Sequence, residues 1–165
     1  MAADTLTLVL PDPAATDAFA RALAPALGAG DTLLLHGPVG AGKTAFARAL
    51  VTALRTRAGL PPEDVPSPTF TLVQTYDAGA FEVWHADLYR LSGPDGVLEL
   101  GLDAAMGDAL CLIEWPDRLG ADRPASAIDL TFAYPPDGAD GRILTLAGPA
   151  AALDRLRPAF MEIAT

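Results

Sequence analysis

Polar and apolar positions alternate from the start of the chain: Thr5-Leu6-Thr7-Leu8-Val9-Leu10 predicts a strand, placed near a sheet edge. Asp12-Pro13 or Thr16 can cap a following helix, whose Phe19, Ala22, Leu23, Ala26 and Leu27 fall at helical spacing until Gly28 and Gly30 end it. Thr32 to Leu35 is a short unbroken apolar run, the pattern of a buried parallel strand. A Gly-rich loop follows. A second amphipathic helix then turns Phe46, Ala49, Leu50, Ala53 and Leu54 inward and Arg48, Arg55 and Arg57 outward.

Pro61, Pro62, Pro66 and Pro68 make Ala58 to Pro68 a loop. Phe70 to Tyr76 and Phe81 to Asp87 predict an antiparallel hairpin turning at Asp77-Ala78-Gly79. Gly93 to Gly107 is Gly-rich, with room for a short helix. Ala109 to Ile113 is another buried-strand run and ends in Glu114. Ile128 to Tyr134 and Arg142 to Ala147 form a last hairpin, and Ala150 to Arg157 a closing helix stopped by Pro158. No internal repeat is present. The sum is an α/β fold, a mixed and partly parallel sheet flanked by helices, in a single domain over 1–165.

Composition narrows the classes. The 165 residues are 51% hydrophobic and 19% charged, a globular mix able to bury a core. Eleven basic against 21 acidic residues leave a net charge of −10, which excludes a broad basic face for nucleic acid. A lone cysteine, Cys111, excludes an intramolecular disulfide and reads as a small core residue. No apolar run is long enough to span a bilayer, and Met1-Ala2-Ala3-Asp4 lacks a secretory signature, so a cytoplasmic location without membrane contact is expected. Ten of the basic residues are Arg; Lys43 is the only lysine, and asparagine is absent. A compact ammonium on a slim stem fits pockets that a guanidinium does not.

That lysine lies in Gly37-Pro38-Val39-Gly40-Ala41-Gly42-Lys43-Thr44, an ungapped G-x-x-x-x-G-K-[ST] between the buried strand and the second helix. Such a P-loop wraps backbone N–H groups around phosphate oxygens and ends on a helix N-terminus that favours anions. Gly37, Gly40, Ala41, Gly42, Lys43, Thr44 and Ala45 are therefore the expected phosphate-binding residues. Lys43 would reach the β- and γ-phosphates and the Thr44 hydroxyl would ligate Mg²⁺. A second acidic group is needed at the end of a neighbouring strand. Glu114 is the first candidate for Mg²⁺, with Asp87 a second that could hold the metal through water or orient the attacking water; a solvated strand end and a turn-capping Asp are the plain alternatives. Thr69, in Pro66-Ser67-Pro68-Thr69, stands where P-loop enzymes often place a γ-phosphate sensor, or else in a proline-stiffened loop. His36 and His85 read as structural. Trp115 reads as a core-edge or surface aromatic, and Arg90 as a phosphate contact or half of an ion pair.

Four blocks in order resemble the TsaE (YjeE) family, the small bacterial ATPase of the tRNA threonylcarbamoyladenosine (t6A) pathway: Gly40-Ala41-Gly42-Lys43-Thr44, Ser67-Pro68-Thr69-Phe70-Thr71-Leu72-Val73, His85-Ala86-Asp87-Leu88-Tyr89-Arg90-Leu91 and Ile113-Glu114-Trp115-Pro116. The first is common to P-loop proteins; the other three are specific together, and the likeness runs from about Ala15 to Leu146. It implies a P-loop NTPase fold and slow, partner-dependent hydrolysis of ATP with Mg²⁺. The implied catalytic residues are Lys43, Asp87 and Glu114, with Thr44, Glu114 and Asp87 at the metal, a switch segment at Ser67-Pro68-Thr69 and a functionally sensitive Trp115. The implied partners are the two protein subunits of the threonylcarbamoyl transferase complex, with tRNA engaged indirectly. The chain departs from the family pattern at Pro38-Val39, Ala45 and Ala86, none of which removes a phosphate or metal group. Two other classes share the loop: a small-molecule kinase, for which Arg118 and Arg123 could form a lid, and a regulatory module that binds nucleotide without useful turnover.

Overall fold

The structure is a computed structural model and describes residues 4–164. Met1 to Ala3, part of the segment read as lacking a signal, and Thr165 lie outside the described residues. Seven strands form one sheet in the order β1-β7-β6-β2-β5-β4-β3. They are β1 (Asp4–Leu10), β2 (Thr32–His36), β3 (Val73–Asp77), β4 (Glu82–Asp87), β5 (Leu110–Glu114), β6 (Ile128–Ala133) and β7 (Arg142–Gly148). The centre is parallel, with β2 between β5 and β6 and β4 beside β5. Antiparallel pairs finish both sides, β3 with β4 and β7 with β6 and β1, so the mixed sheet, its two hairpins and the edge position of β1 are as the sequence predicts.

Successive side chains of a strand point to opposite faces. Leu33 and Leu35 of β2 and Leu110 and Leu112 of β5 enter one apolar cluster, with α1 (Pro13–Leu23), α2 (Lys43–Arg57) and α5 (Ala150–Ala164). Leu34, Cys111 and Ile113 enter the other, with α3 (Pro94–Leu100) and α4 (Leu102–Asp108). Both faces of the central strands are therefore covered, which is why their sequences read as unbroken apolar runs. Cys111 is fully buried, and burial pushes its thiol up to about 12.

Several boundaries differ from the sequence reading. Asp12 caps α1 by accepting the Ala15 N–H, with Pro13 in the first turn. The α-helix ends at Leu23, and Pro25 lies in a tighter 3-10 turn over Ala24–Ala26. β3 begins at Val73 rather than Phe70, because Leu72 adopts φ 70°, outside strand geometry. Gly93 to Gly107 holds two short helices, divided by Gly101 at φ 78°. α5 continues through Pro158 to Ala164: Leu153, Leu156, Ala159 and Phe160 pack inward, while Pro158 and Asp154, whose carbonyl loses its donor, lie on the exposed side. Arg55 is not an outward residue. It is 9% exposed and donates to the carbonyls of Asp77 (2.7 Å), at the end of β3, and Pro61 (2.9 Å), giving both backbone oxygens a donor.

Candidate functional site

In open α/β sheets ligands gather beyond the carboxyl ends of parallel strands. Three such ends meet here. The P-loop leaves β2 after His36 and enters α2 at Lys43, with Gly42 at φ 110° serving as the helix N-cap. The parallel register sets Asp87 of β4 directly against Glu114 of β5, and Glu114 in turn against Leu35 of β2. A cavity of about 410 Å³ opens between them, lined among others by Gly40, Gly42, Lys43, Thr44, Ala45, Thr69, Asp87, Glu114 and Trp115. These residues span 76 positions of sequence from Gly40 to Trp115. Of the expected phosphate-binding residues, Gly37 and Ala41 lie outside this lining. Gly37 gives its carbonyl to Lys43, and the Ala41 N–H closes the loop's turn on the Pro38 carbonyl at 3.1 Å.

Lys43 is 5% exposed. Its ammonium donates to the Gly37 carbonyl at 2.6 Å and lies 3.6 Å from the centre of the Trp115 ring, whose π face attracts a cation. Burial pushes the ammonium below its usual range, against the opposing pull of Glu114, Asp87 and Asp117. The Thr44 hydroxyl lies 2.8 and 3.0 Å from the two Glu114 oxygens. Asp87 accepts from the Thr69 hydroxyl at 3.1 Å and from the Tyr89 N–H at 3.0 Å. One lysine, two buried carboxylates and two hydroxyls thus share one cavity, an arrangement that can hold a polyanion and offers oxygen donors of the kind a hard cation takes. Trp115 is the core-edge aromatic that the sequence allowed, partly buried against the second apolar cluster. Held at φ 56°, it walls the cavity and packs against Tyr89, ring centres 4.9 Å apart.

His85 has a larger part than its sequence reading as a structural residue suggested. It is fully buried, and its Nε2 lies 2.7 Å from Glu114 Oε2. A carboxylate only accepts, so Nε2 carries the proton and orients Glu114 towards Thr44. The available signal was period two: His85 and Asp87 project from the same face of β4. Tyr134, just past β6, and Arg142, the first residue of β7, touch the P-loop. The Tyr134 hydroxyl lies 3.2 Å from the Val39 carbonyl and an Arg142 nitrogen 3.3 Å from the Gly40 carbonyl. These contacts cross about a hundred residues and have no local signature. His36 pairs with Asp129 at 2.6 Å, and the Arg90 guanidinium sits over Phe70, outside the cavity lining. Neither lid candidate reaches the cavity: Arg118 holds the Leu91 carbonyl and Asp117, and Arg123 grips Asp129.

A family model described as threonylcarbamoyl adenosine biosynthesis protein TsaE matches residues 10–142. The chain is 42% identical over 66 residues to the tRNA threonylcarbamoyladenosine biosynthesis protein TsaE of Rickettsia bellii, a stretch covering 40% of this chain and 46% of that protein. It is 31% identical over 77 residues to the same-named protein of Treponema pallidum, covering 46% and 56%. The aligned stretches thus span about half of these relatives. The crystal structure of Bacillus subtilis YdiB superposes with a TM-score of 0.75 at 25% identity, covering 98% of this chain and 97% of that one, and the shared architecture is the P-loop NTPase fold. No helix among the described residues is long and apolar enough to cross a membrane. With a family match over most of its length and the fold end to end, the chain belongs to the TsaE family.

Proposed function

We propose that this chain binds and hydrolyses ATP with Mg²⁺ and serves the t6A modification of tRNA as the nucleotide-driven subunit of a threonylcarbamoyl-transferring complex. The observation that carries the reading is the convergence of Lys43, Thr44, Thr69, Asp87 and Glu114 on one cavity beside the P-loop. The donor set suits the metal. Thr44 and Glu114 supply neutral and anionic oxygens within 3.0 Å of each other. No group of three or more His, Cys, Asp or Glu among the described residues could hold a metal alone. Mg²⁺ is commonly held through one or two protein oxygens together with substrate phosphates and water. When bound, it would neutralise charge on the phosphate oxygens.

The chain's own residues divide the work. The amides around Gly40 to Thr44 and the Lys43 ammonium bind the phosphates and stabilise charge that develops on them. Lys43 is already desolvated, which strengthens its attraction for an anion. Thr44 and Glu114 hold the metal, and His85 fixes the carboxylate that does so. Asp87, tied to Thr69, holds the metal through water or orients the attacking water. The net charge of −10 fits a subunit that meets tRNA through its partners. Two protein subunits are expected, those of the threonylcarbamoyl transferase complex, in the cytoplasm.

The test is ATP turnover with Mg²⁺, alone and with the two partner subunits, with Lys43→Ala as control. Turnover that rises with the partners and disappears in the control is expected. Bound nucleotide without stimulation by the partners would refute the subunit mechanism.

A further inference from the structure

The P-loop is held from outside by two side chains that no step above uses. β6 runs parallel to β2, pairing Thr131 with His36. The residues just past β6 therefore lie beside those just past β2, and Tyr134 meets Val39 and Gly40. Its hydroxyl is 3.2 Å from the Val39 carbonyl. Arg142, which opens β7, reaches the next carbonyl, Gly40, at 3.3 Å and anchors its other nitrogen on Gly141 at 2.6 Å. The guanidinium carbon lies 4.3 Å from the centre of the Tyr134 ring, so the two donors brace each other. A Cβ on Gly40 would come 3.2 Å from the Tyr134 hydroxyl, which shows how closely the clamp sits on the loop.

The loop needs such a restraint. Gly40, at φ 78°, is conformationally permissive, and its peptides can rotate at little steric cost. A rotated peptide would turn a carbonyl oxygen towards a place where a phosphate oxygen is to be bound. Because a peptide is planar, holding a carbonyl also fixes the N–H across the bond. Val39 O sets the Gly40 amide, and Gly40 O sets the Ala41 amide, already bonded to Pro38 O at 3.1 Å. Gly40 lines the 410 Å³ cavity and also a second one of about 500 Å³ that Arg142 lines. The clamp thus acts on the strip of backbone between the two.

We infer that Tyr134 and Arg142 are positioning residues for phosphate binding, keeping the Val39 and Gly40 carbonyls turned outward. The inference rests on the nucleotide reading above. The test is calorimetric titration of Tyr134→Phe and Arg142→Ala with Mg²⁺-ATP, ADP and adenosine, beside melting temperature and amide exchange over Pro38 to Gly42. Loss of one hydrogen bond predicts about three- to tenfold weaker ATP and ADP binding. Adenosine binding should stay unchanged, melting temperature should fall by no more than about 2–6 °C, and amide exchange should quicken. ATP affinity equal to wild type, or affinity that falls only in step with the melting temperature, would overturn the inference. A wild-type chain that binds no ATP would instead refute the nucleotide reading. In that case unchanged exchange overturns the clamp too, and faster exchange upholds its hold on the loop.

Discussion

Replacing His85 with leucine separates the hydrogen bond it gives Glu114 from the volume it fills. Glu114 is 2% exposed, and its Oε2 accepts from His85 Nε2 at 2.7 Å. The remaining donor is the single Thr44 hydroxyl proton, shared between Oε1 and Oε2. Leucine leaves little void, so the cost is that of a buried carboxylate deprived of a donor, about 2–3 kcal/mol. For a chain of this length a destabilisation of 1 kcal/mol lowers the melting temperature by about 2–4 °C. The expected fall is therefore about 4–12 °C at neutral pH, read by differential scanning calorimetry. His85→Gln, which can still donate, should recover part of it. Alanine should cost more than leucine, because a cavity adds to the lost bond. If the leucine protein melted within about 1 °C of wild type, His85 would not be orienting Glu114, and its assignment as a support of the site would fall.

Three further outcomes follow from geometry. Arg55→Met removes the donors to the Asp77 and Pro61 carbonyls and should cost about 2–4 kcal/mol in urea unfolding, with earlier proteolytic cleavage between residues 58 and 72; equal cleavage would refute it. Burial alone would raise the Asp129 carboxyl, but hydrogen bonds and charge from Arg123 and His36 outweigh it and hold the group below its ordinary 3.8. Asp129→Asn should therefore be about 1–2 kcal/mol less stable than wild type at neutral pH, with the gap closing as pH falls through the depressed value; a gap that persists in acid would contradict this. Pro158→Ala restores an amide donor on the exposed side of α5 and should raise stability by about 1–2 kcal/mol, read as a higher urea midpoint at unchanged slope.

What could be read from the sequence was what is local. The run Thr32 to Leu35, the Gly-rich turn and the helix after it are contiguous, so motif and context confirm each other within 26 residues. Both faces of β2 and β5 are covered, and that condition writes itself as an apolar run. The readings that failed depend on the fold as a whole. Arg55 faces inward because the Pro61 carbonyl of the following loop and the Asp77 carbonyl at the end of β3 meet its guanidinium there. Helix α5 crosses Pro158 because packing of its apolar face outweighs one lost backbone bond. His85 becomes part of the site only when parallel pairing brings β5 beside β4, and Tyr134 and Arg142 only when β6 and β7 close against the P-loop. Thr69 and Asp87 lie 18 residues apart in sequence, yet a hairpin puts their side chains in contact.

The strand order also divides the cavity by mechanical stiffness. Glu114 is mounted on β5, inside the sheet, where displacement means breaking ladders on both sides, and Lys43 and Thr44 open α2, whose Phe46, Ala47 and Leu50 are fully buried in the core. Thr69 is mounted just before β3, the terminal strand, which has a neighbour on one side only. Its segment is tied down by the Leu72 N–H on Pro68, the Asp87 N–H on Leu72 and its own hydroxyl on Asp87. Local opening there costs a few hydrogen bonds and little buried apolar surface, so its free energy belongs at the low end of the range within one protein. The wall that would grip phosphate is therefore built to stay put, while the wall carrying Thr69 can open and shut without loosening the sheet.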